Sequence, residues 1–194
     1  YGLNASSDLY YAVYYNHADI VKFLMRTKKC DPSAQYDRCL IKSCENNNPQ
    51  ICALLLEDKR VSGILDHPVS QKNPLQICIH NKFYECAEVL IQRQPYDQYH
   101  IRECCFHDDV HILKCIFHHC HEMEFMTFLH ESLRESCRHG ALDCLQNVYE
   151  FQHFREFVIV DAMTRILIIK LWKHNNQFAC EKFLRFFYRY YELC

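Results

Sequence analysis

The chain repeats one short pattern of hydrophobic and polar positions along most of its length. Each copy opens with a large apolar residue and places a small or apolar pair three and four residues later, so that these side chains share one face of a helix. The opening residues are Leu9, Leu40, Leu75, Ile101, Leu133 and Ile169. Their spacing of 26 to 36 residues is typical of a repeat protein, in which each copy is one structural unit.

Each copy predicts two short helices joined by a tight turn. In the copy at 74–91 the small pair is Cys78-Ile79, a turn follows at Asn81-Lys82, and a second apolar-periodic segment completes the unit. The turn positions of the copies are Asn16, Asn47, Lys82, Asp108, Gly140 and Asn176. All but the lysine are residue types that tolerate a left-handed backbone, which a chance alignment would not produce. The pattern therefore predicts an all-α fold of about six stacked helix-turn-helix repeats.

These residues resemble the ankyrin repeat family over nearly the whole chain. Pro74-Leu75 and Cys78-Ile79 stand where that family has its Pro-Leu and Ala-Ala pairs, and Asn16-His17 and Gly140-Ala141 stand at its Gly-His turn. The resemblance implies an ankyrin-like solenoid that forms a single domain over 1–194. The expected units lie near 4–30, 31–63, 70–95, 96–121, 127–150 and 160–190.

Two connecting segments carry a further resemblance. DPSAQ at 31–35 and DKRVSG at 58–63 are similar to linkers in ankyrin proteins of large DNA viruses and amoebal hosts, which favours a viral or host-interaction protein. The chain begins with Tyr1 and not with Met. We therefore expect it to be a fragment of a longer chain or to be trimmed at its N-terminus.

The ankyrin resemblance implies a protein–protein interaction module that binds along its concave side, where the first helices lie. The positions two and five residues after each opening residue are expected to line that side, and Glu103 and Glu135 are among them. The main candidates for contacting a partner protein are Tyr11, Tyr14, Lys42, Glu45, Ile77, His80, Phe106 and Arg138. No cofactor is implied, and the identity of the partner is left open.

The C-terminal end suggests an alternative, a structural subunit of a larger assembly. Residues 183–194 read FLRFFYRYYELC, which is strongly aromatic. Terminal repeats normally carry a polar outer face, so an aromatic end predicts packing on a neighbouring molecule.

The 14 cysteines mostly follow the repeat pattern. The ten at core positions are Cys44, Cys52, Cys78, Cys86, Cys104, Cys105, Cys115, Cys137, Cys144 and Cys180. There they replace the alanines and valines of the family and act as small apolar residues. We therefore expect reduced thiols and a cytoplasmic or nuclear location, because a disulfide framework would not follow helix periodicity.

A zinc site is the second alternative, at the segment 104–121. His107 and His111 are four residues apart and could face one metal ion from a single helix, with His118 and Cys120 nearby in sequence. The repeat pattern already explains the other cysteines of this segment, and the chain has no C-x-x-C pair. We therefore favour no metal ion.

Composition excludes several common classes of function. The three glycines are Gly2, Gly63 and Gly140. A Walker loop, a dinucleotide fingerprint or a nucleophile elbow needs closely spaced glycines, so we expect no enzyme of those classes and no catalytic residue. The net charge of −2 argues against a nucleic-acid surface. The most apolar stretch, 157–172, is too short and too charged to predict a membrane span.

Overall fold

The computed structural model describes residues 5–62, 73–93 and 96–150, and all regular secondary structure in these ranges is helical. The helices are α1 (Ala5–Tyr14), α2 (Ala18–Thr27), α3 (Ala34–Glu45), α4 (Pro49–Leu56), α5 (Pro74–Asn81), α6 (Tyr84–Arg93), α7 (Gln98–Phe106), α8 (Val110–His119), α9 (Glu122–His139) and α10 (Leu142–Glu150). They follow one another as pairs, which confirms the predicted all-α, helix-turn-helix architecture. The predicted unit at 160–190 and the aromatic tail lie outside the described residues, and the number of repeats stays a prediction.

The chain divides into two compact units, Tyr1–His100 and Ile101–Cys194. In the first unit α1 packs on α3 and α3 on α5, while α2 packs on α4 and α4 on α6. The first helices of successive pairs therefore form one layer, and the second helices form another. In the second unit α10 packs against α8 and α9.

The opening residue of each repeat lies in the core. Leu9, Leu40 and Leu75 are all buried in the first unit, and Ile101 and Leu133 are buried in the second. Burial of one such side chain stabilises the fold by about 2 kcal/mol. The repeating apolar position in the sequence is therefore a repeating source of stability in the structure.

The turns within the pairs share one geometry. A left-handed residue occupies each turn position predicted within the described chain: Asn16 (φ 61°), Asn47 (φ 50°), Lys82 (φ 58°), Asp108 (φ 49°) and Gly140 (φ 72°). The prediction is confirmed at these five positions, and Asn176 lies outside the described residues. In each pair the next backbone N–H donates to the carbonyl five residues earlier, at 2.8 to 3.0 Å, as in a Schellman motif. These bonds join His17 to Ala12, Asn48 to Ser43, Phe83 to Cys78, Asp109 to Cys104 and Ala141 to Ser136.

Polar side chains at the turns connect successive repeats. Asn46 Nδ2 donates to the Val13 carbonyl at 3.0 Å and to Asn16 Oδ1 at 3.3 Å. In the second unit Asp108 Oδ1 accepts from the Cys144 backbone N–H at 3.0 Å. These bonds set the register of the second repeat on the first and of the fifth repeat on the fourth.

Helix α3 begins with an irregular segment. Gln35, Tyr36 and Asp37 have positive φ values of 56°, 60° and 55°, so the regular helix starts at Arg38. The Asp37 carboxylate is buried and accepts from the Ser62 backbone N–H at 3.1 Å. This contact between distant parts of the chain holds the start of α3 in place.

Most described cysteines lie in the core. The fully buried cysteines at predicted core positions are Cys44, Cys52, Cys78, Cys86, Cys104, Cys105 and Cys144. Cys115 is only partly buried, and Cys180 lies outside the described residues. Cys30 and Cys39, which the repeat pattern leaves outside the core, are buried as well. The cysteines whose side chains the structure describes are all free thiols.

Candidate functional site: the face of the first helices

Two tyrosines on α1 lie against two cations on α3. The Tyr10 and Tyr14 rings are one helical turn apart, with their centroids separated by 6.1 Å. Arg38 Cζ lies 4.2 Å from the centroid of the Tyr10 ring, and Lys42 Nζ lies 4.9 Å from that of Tyr14. Both distances are those of cation–π contacts. Two such contacts therefore run side by side between neighbouring repeats.

The aromatic surface extends beyond these contacts. Tyr11 is 58% exposed and Tyr14 is 47% exposed. Tyr11 packs its ring edge-to-face on Tyr10 at 6.0 Å, and Tyr15 packs in the same way on Tyr14 at 5.0 Å. We call the surface formed by Tyr10, Tyr11, Tyr14, Arg38 and Lys42 the first-helix face.

The two cations of this face are held differently. Lys42 Nζ is paired with Glu45 Oε2 at 3.1 Å. Arg38 Nη1 donates to the neutral Gln35 Oε1 at 2.8 Å. Among the described residues no carboxylate lies within salt-bridge distance of Arg38, so its charge is not neutralised by a neighbour in that part of the chain.

The predicted contact residues of the first unit divide into accessible and buried ones. Tyr11, Tyr14, Glu45 and His80 are exposed, and Lys42 is half-buried. Whether they contact a partner stays a prediction.

Ile77 corrects the sequence prediction. Its side chain is only 4% exposed, so the expected exposure was wrong. Burial of an isoleucine side chain stabilises the folded protein by about 2 kcal/mol, and the fold buries this one. The repeat position of Ile77 indicates a side of α5 but not which neighbouring atoms lie over it.

Tyr10 and Arg38 belong to the face although the sequence analysis did not single them out as contact residues. Arg38 lies two residues before Leu40, whereas only positions after the opening residue were considered. One signal was available: Tyr10 and Tyr14 are four apart on α1, and Arg38 and Lys42 are four apart on α3. Equal spacing on adjacent helices places such pairs opposite each other.

The second unit carries its own exposed aromatic residue. Phe106 is 60% exposed at the end of α7, and its ring meets His107 at 5.0 Å and His139 at 5.1 Å, edge-to-face in both cases. Arg138, also a predicted contact residue, is exposed, and Glu103 is half-buried.

Glu135 is a second correction. It was expected to line the accessible surface, but it is only 2% exposed. Its carboxylate lies 3.2 Å from Arg134 Nε, 3.3 Å from His139 Nε2 and 3.7 Å from Arg138 Nη1. Because a buried carboxylate needs such partners, Glu135 organises the surrounding polar side chains and does not itself offer an accessible charge.

The zinc candidates do not form a ligand set. His111 and His118 are exposed, while His107 and Cys120 are half-buried. Within 5–62, 73–93 and 96–150, no group of three or more His, Cys, Asp and Glu side chains is arranged to hold a metal ion.

The buried thiols of Cys39 and Cys104 are poorly suited to nucleophilic chemistry. Cys44 Sγ lies 3.7 Å from Cys52 Sγ, which in turn lies 4.0 Å from Cys86 Sγ, so these thiols pack against one another. Burial raises the pKa of Cys39 to about 12 and raises the pKa of Cys104 well above its usual value. Since the thiolate is the reactive form, such thiols are inert near neutral pH.

The helices of the described region are also too short or too polar to cross a membrane.

Residues 9–102 match the family model of ankyrin repeats, in three copies. The match begins at Leu9, the first opening residue, and ends within α7. No curated protein and no solved structure matches the chain. Together with the helix pairs, this match shows that residues 9–102 form ankyrin repeats, which are generally protein–protein interaction modules.

Proposed function

We propose that this chain binds a partner protein through the first-helix face. The observation that carries the proposal is the row of tyrosines on α1, of which Tyr11 and Tyr14 are largely exposed beside the cations of α3. Tyrosine and arginine are enriched at protein interfaces and among the residues that dominate binding energy. A contiguous aromatic surface of this kind is typical of an interaction site.

The rings of this face are held in place before any partner binds. Tyr10 is contacted by Arg38, Tyr11 and Tyr14, and Tyr14 is contacted by Lys42 and Tyr15. Side chains that are already ordered lose less conformational entropy on association. The contacts between α1 and α3 therefore favour binding as well as stability.

In the second unit, Phe106 and Arg138 are the residues we propose as an additional contact surface. Both side chains are exposed, and aromatic residues and arginine are enriched among the residues that dominate binding energy. Its contribution is tested separately from that of the first-helix face, by the variant Phe106→Ser.

The remaining functional assignments concern the location of the protein, catalysis and the alternative role in an assembly. We propose a reducing compartment, cytoplasmic or nuclear, because many unpaired buried thiols persist best where disulfides are disfavoured. We also propose that the chain is not an enzyme, since ankyrin repeats are generally protein–protein interaction modules. The alternative role as a structural subunit depends on 183–194, which lies outside the described residues.

A pull-down from the native source tests the proposal. The purified full chain serves as bait, beside the double variant Tyr11→Ser with Tyr14→Ser and the control Phe23→Ser. Phe23 is a matched control because it is 67% exposed on the second helix α2. We expect one specific partner with the wild type and the control, recovered roughly tenfold less with the double variant, which corresponds to a loss of about 1.4 kcal/mol.

The result that would overturn the proposal is equal recovery with the wild type and the double variant. Circular dichroism of the three proteins shows whether the helices are intact, so that a lost partner is not mistaken for a lost fold.

A further inference from the structure

We infer that the partner segment that binds the first-helix face is an acidic stretch of polypeptide. The inference rests on the proposed function and adds the chemistry of the partner. It follows from how the cations of this face are placed and paired.

The first-helix face itself carries two cations, one of which is already paired with a carboxylate. Arg38 and Lys42 contribute two cations one helical turn apart, and Glu45 pairs with Lys42. The other carboxylates on α1 and α3 are Asp8, in the first turn of α1, and the buried Asp37, which is bonded to Ser62. Arg38 therefore keeps a charge that no carboxylate of the described residues meets within salt-bridge distance.

The geometry of Arg38 suits a carboxylate. Its guanidinium lies 4.2 Å from the Tyr10 centroid, and one nitrogen is bonded to Gln35. A guanidinium carries five N–H donors in a planar fork, so donors remain after this one bond. Arginine is the side chain best matched to bidentate recognition of a carboxylate. Stacking on the ring fixes the position of the fork in advance.

The tyrosines indicate a polypeptide as the carrier of the acidic groups. Tyr11 and Tyr14 supply large exposed rings, on which the apolar side chains between acidic residues can pack. A nucleic acid would also stack on rings, but its affinity comes largely from contacts between its phosphates and many Lys and Arg side chains. The face offers two cations on a chain of net charge −2. An acidic peptide therefore fits this face better than a nucleic acid.

Selection of random linear peptides displayed on phage, with the purified full chain as target, tests the inference. We expect the enriched peptides to be rich in Asp and Glu, and the corresponding synthetic peptides to bind less tightly as salt is raised. The variant Arg38→Gln with Lys42→Gln should weaken that binding roughly tenfold, a loss of about 1.4 kcal/mol. Both substitutions keep a polar side chain and remove its positive charge.

The matched control is Lys22→Gln with Arg26→Gln. These residues are also a lysine and an arginine four apart, but they lie exposed on the second helix α2. We expect this variant to bind the acidic peptides as the wild type does. Equal loss in both variants would show a general charge effect and would overturn the inference.

Three other outcomes also decide whether the partner segment is acidic. Enrichment of neutral or basic peptides, or no enrichment, contradicts an acidic partner segment. If the native partner is lost with the tyrosine double variant but is retained with Arg38→Gln and Lys42→Gln, the inference fails while the proposed function stands. If the partner is released by nuclease, the occupant is a nucleic acid and the inference is wrong.

Discussion

Cysteine is a core residue in this chain. Cys44, Cys78 and Cys104 are buried on first helices, and their carbonyls or side chains contact the turn or the second helix of the same pair. A thiol is apolar enough to be buried there and small enough to let the next helix pair approach closely. At the residue scale, the small volume of the thiol is the property that the fold uses.

Burial of Cys39 predicts a specific loss of stability at alkaline pH. Its pKa is raised from 9.0 in the unfolded chain to about 12 in the folded protein. Between these values the unfolded chain loses this proton while the folded protein keeps it, so the free energy of unfolding falls as pH rises. Three pKa units correspond to at most about 4 kcal/mol. Urea denaturation followed by circular dichroism from pH 9 upward should therefore show a steeper decline for the wild type than for Cys39→Ala.

The control for this prediction is Cys120→Ala, because Cys120 is only partly buried. Its decline with pH should follow the wild type closely. Parallel curves for the wild type and Cys39→Ala would show that burial of Cys39 does not resist ionisation.

At the scale of the element, the turn between the helices of a pair is the most regular feature. In each described pair one turn residue has the left-handed conformation, and the same backbone hydrogen bond follows it. Among the five turn residues, only Lys82 is of a type for which the left-handed conformation is sterically unfavourable, by about 1 kcal/mol.

Exchanges at two turns should therefore act in opposite directions. Lys82→Gly relieves the steric penalty and should raise the free energy of unfolding by up to about 1 kcal/mol, less the entropy gained by the unfolded chain. Gly140→Ala introduces a Cβ at φ 72° and should lower it by about 1 kcal/mol. Urea denaturation measures both. Destabilisation by Lys82→Gly would mean that its side chain makes a contact worth more than the strain.

The helices and turns could be predicted from the sequence because local residue types determine them. The register of Leu9, Leu40 and Leu75 fixes which side of each helix is buried, and the turn residues fix where the helices end. Local patterns did not predict the start of α3, because the left-handed residues before Arg38 depend on the bond between Asp37 and Ser62.

The candidate site was predicted less completely than the fold. Tyr11 and Tyr14 stand two and five residues after Leu9 and are exposed as predicted. Ile77 and Glu135, each two residues after its own opening residue, are buried. A repeat position indicates a side of a helix, but the neighbouring side chains decide whether that side is covered. Arg38 was missed for the same reason, since its role depends on a ring of the preceding repeat.

At the scale of the whole molecule, stability and binding use different layers of the repeats. In repeat proteins stability is a sum of repeats and of the interfaces between neighbours. The core residues that stabilise the first unit are therefore separate from the exposed residues that we propose for binding.

This separation predicts unequal effects of two large-to-small substitutions. Leu40→Ala opens a cavity in a fully buried site and should lower the free energy of unfolding by about 2 to 5 kcal/mol. Phe23→Ala removes a larger side chain from an exposed site and should change it by less than about 0.5 kcal/mol. Urea denaturation of both variants checks this, and similar losses would contradict the assignment of the core.

Site-specific photo-cross-linking in an extract of the native source tests the binding face most directly. A benzophenone amino acid replaces Tyr14 on α1 or, as the control, Phe23 on α2, and adducts are identified by mass spectrometry after irradiation. We expect a discrete protein adduct from position 14 and none from position 23. An adduct from position 23 alone, or equal adducts from both positions, would contradict binding through the first-helix face.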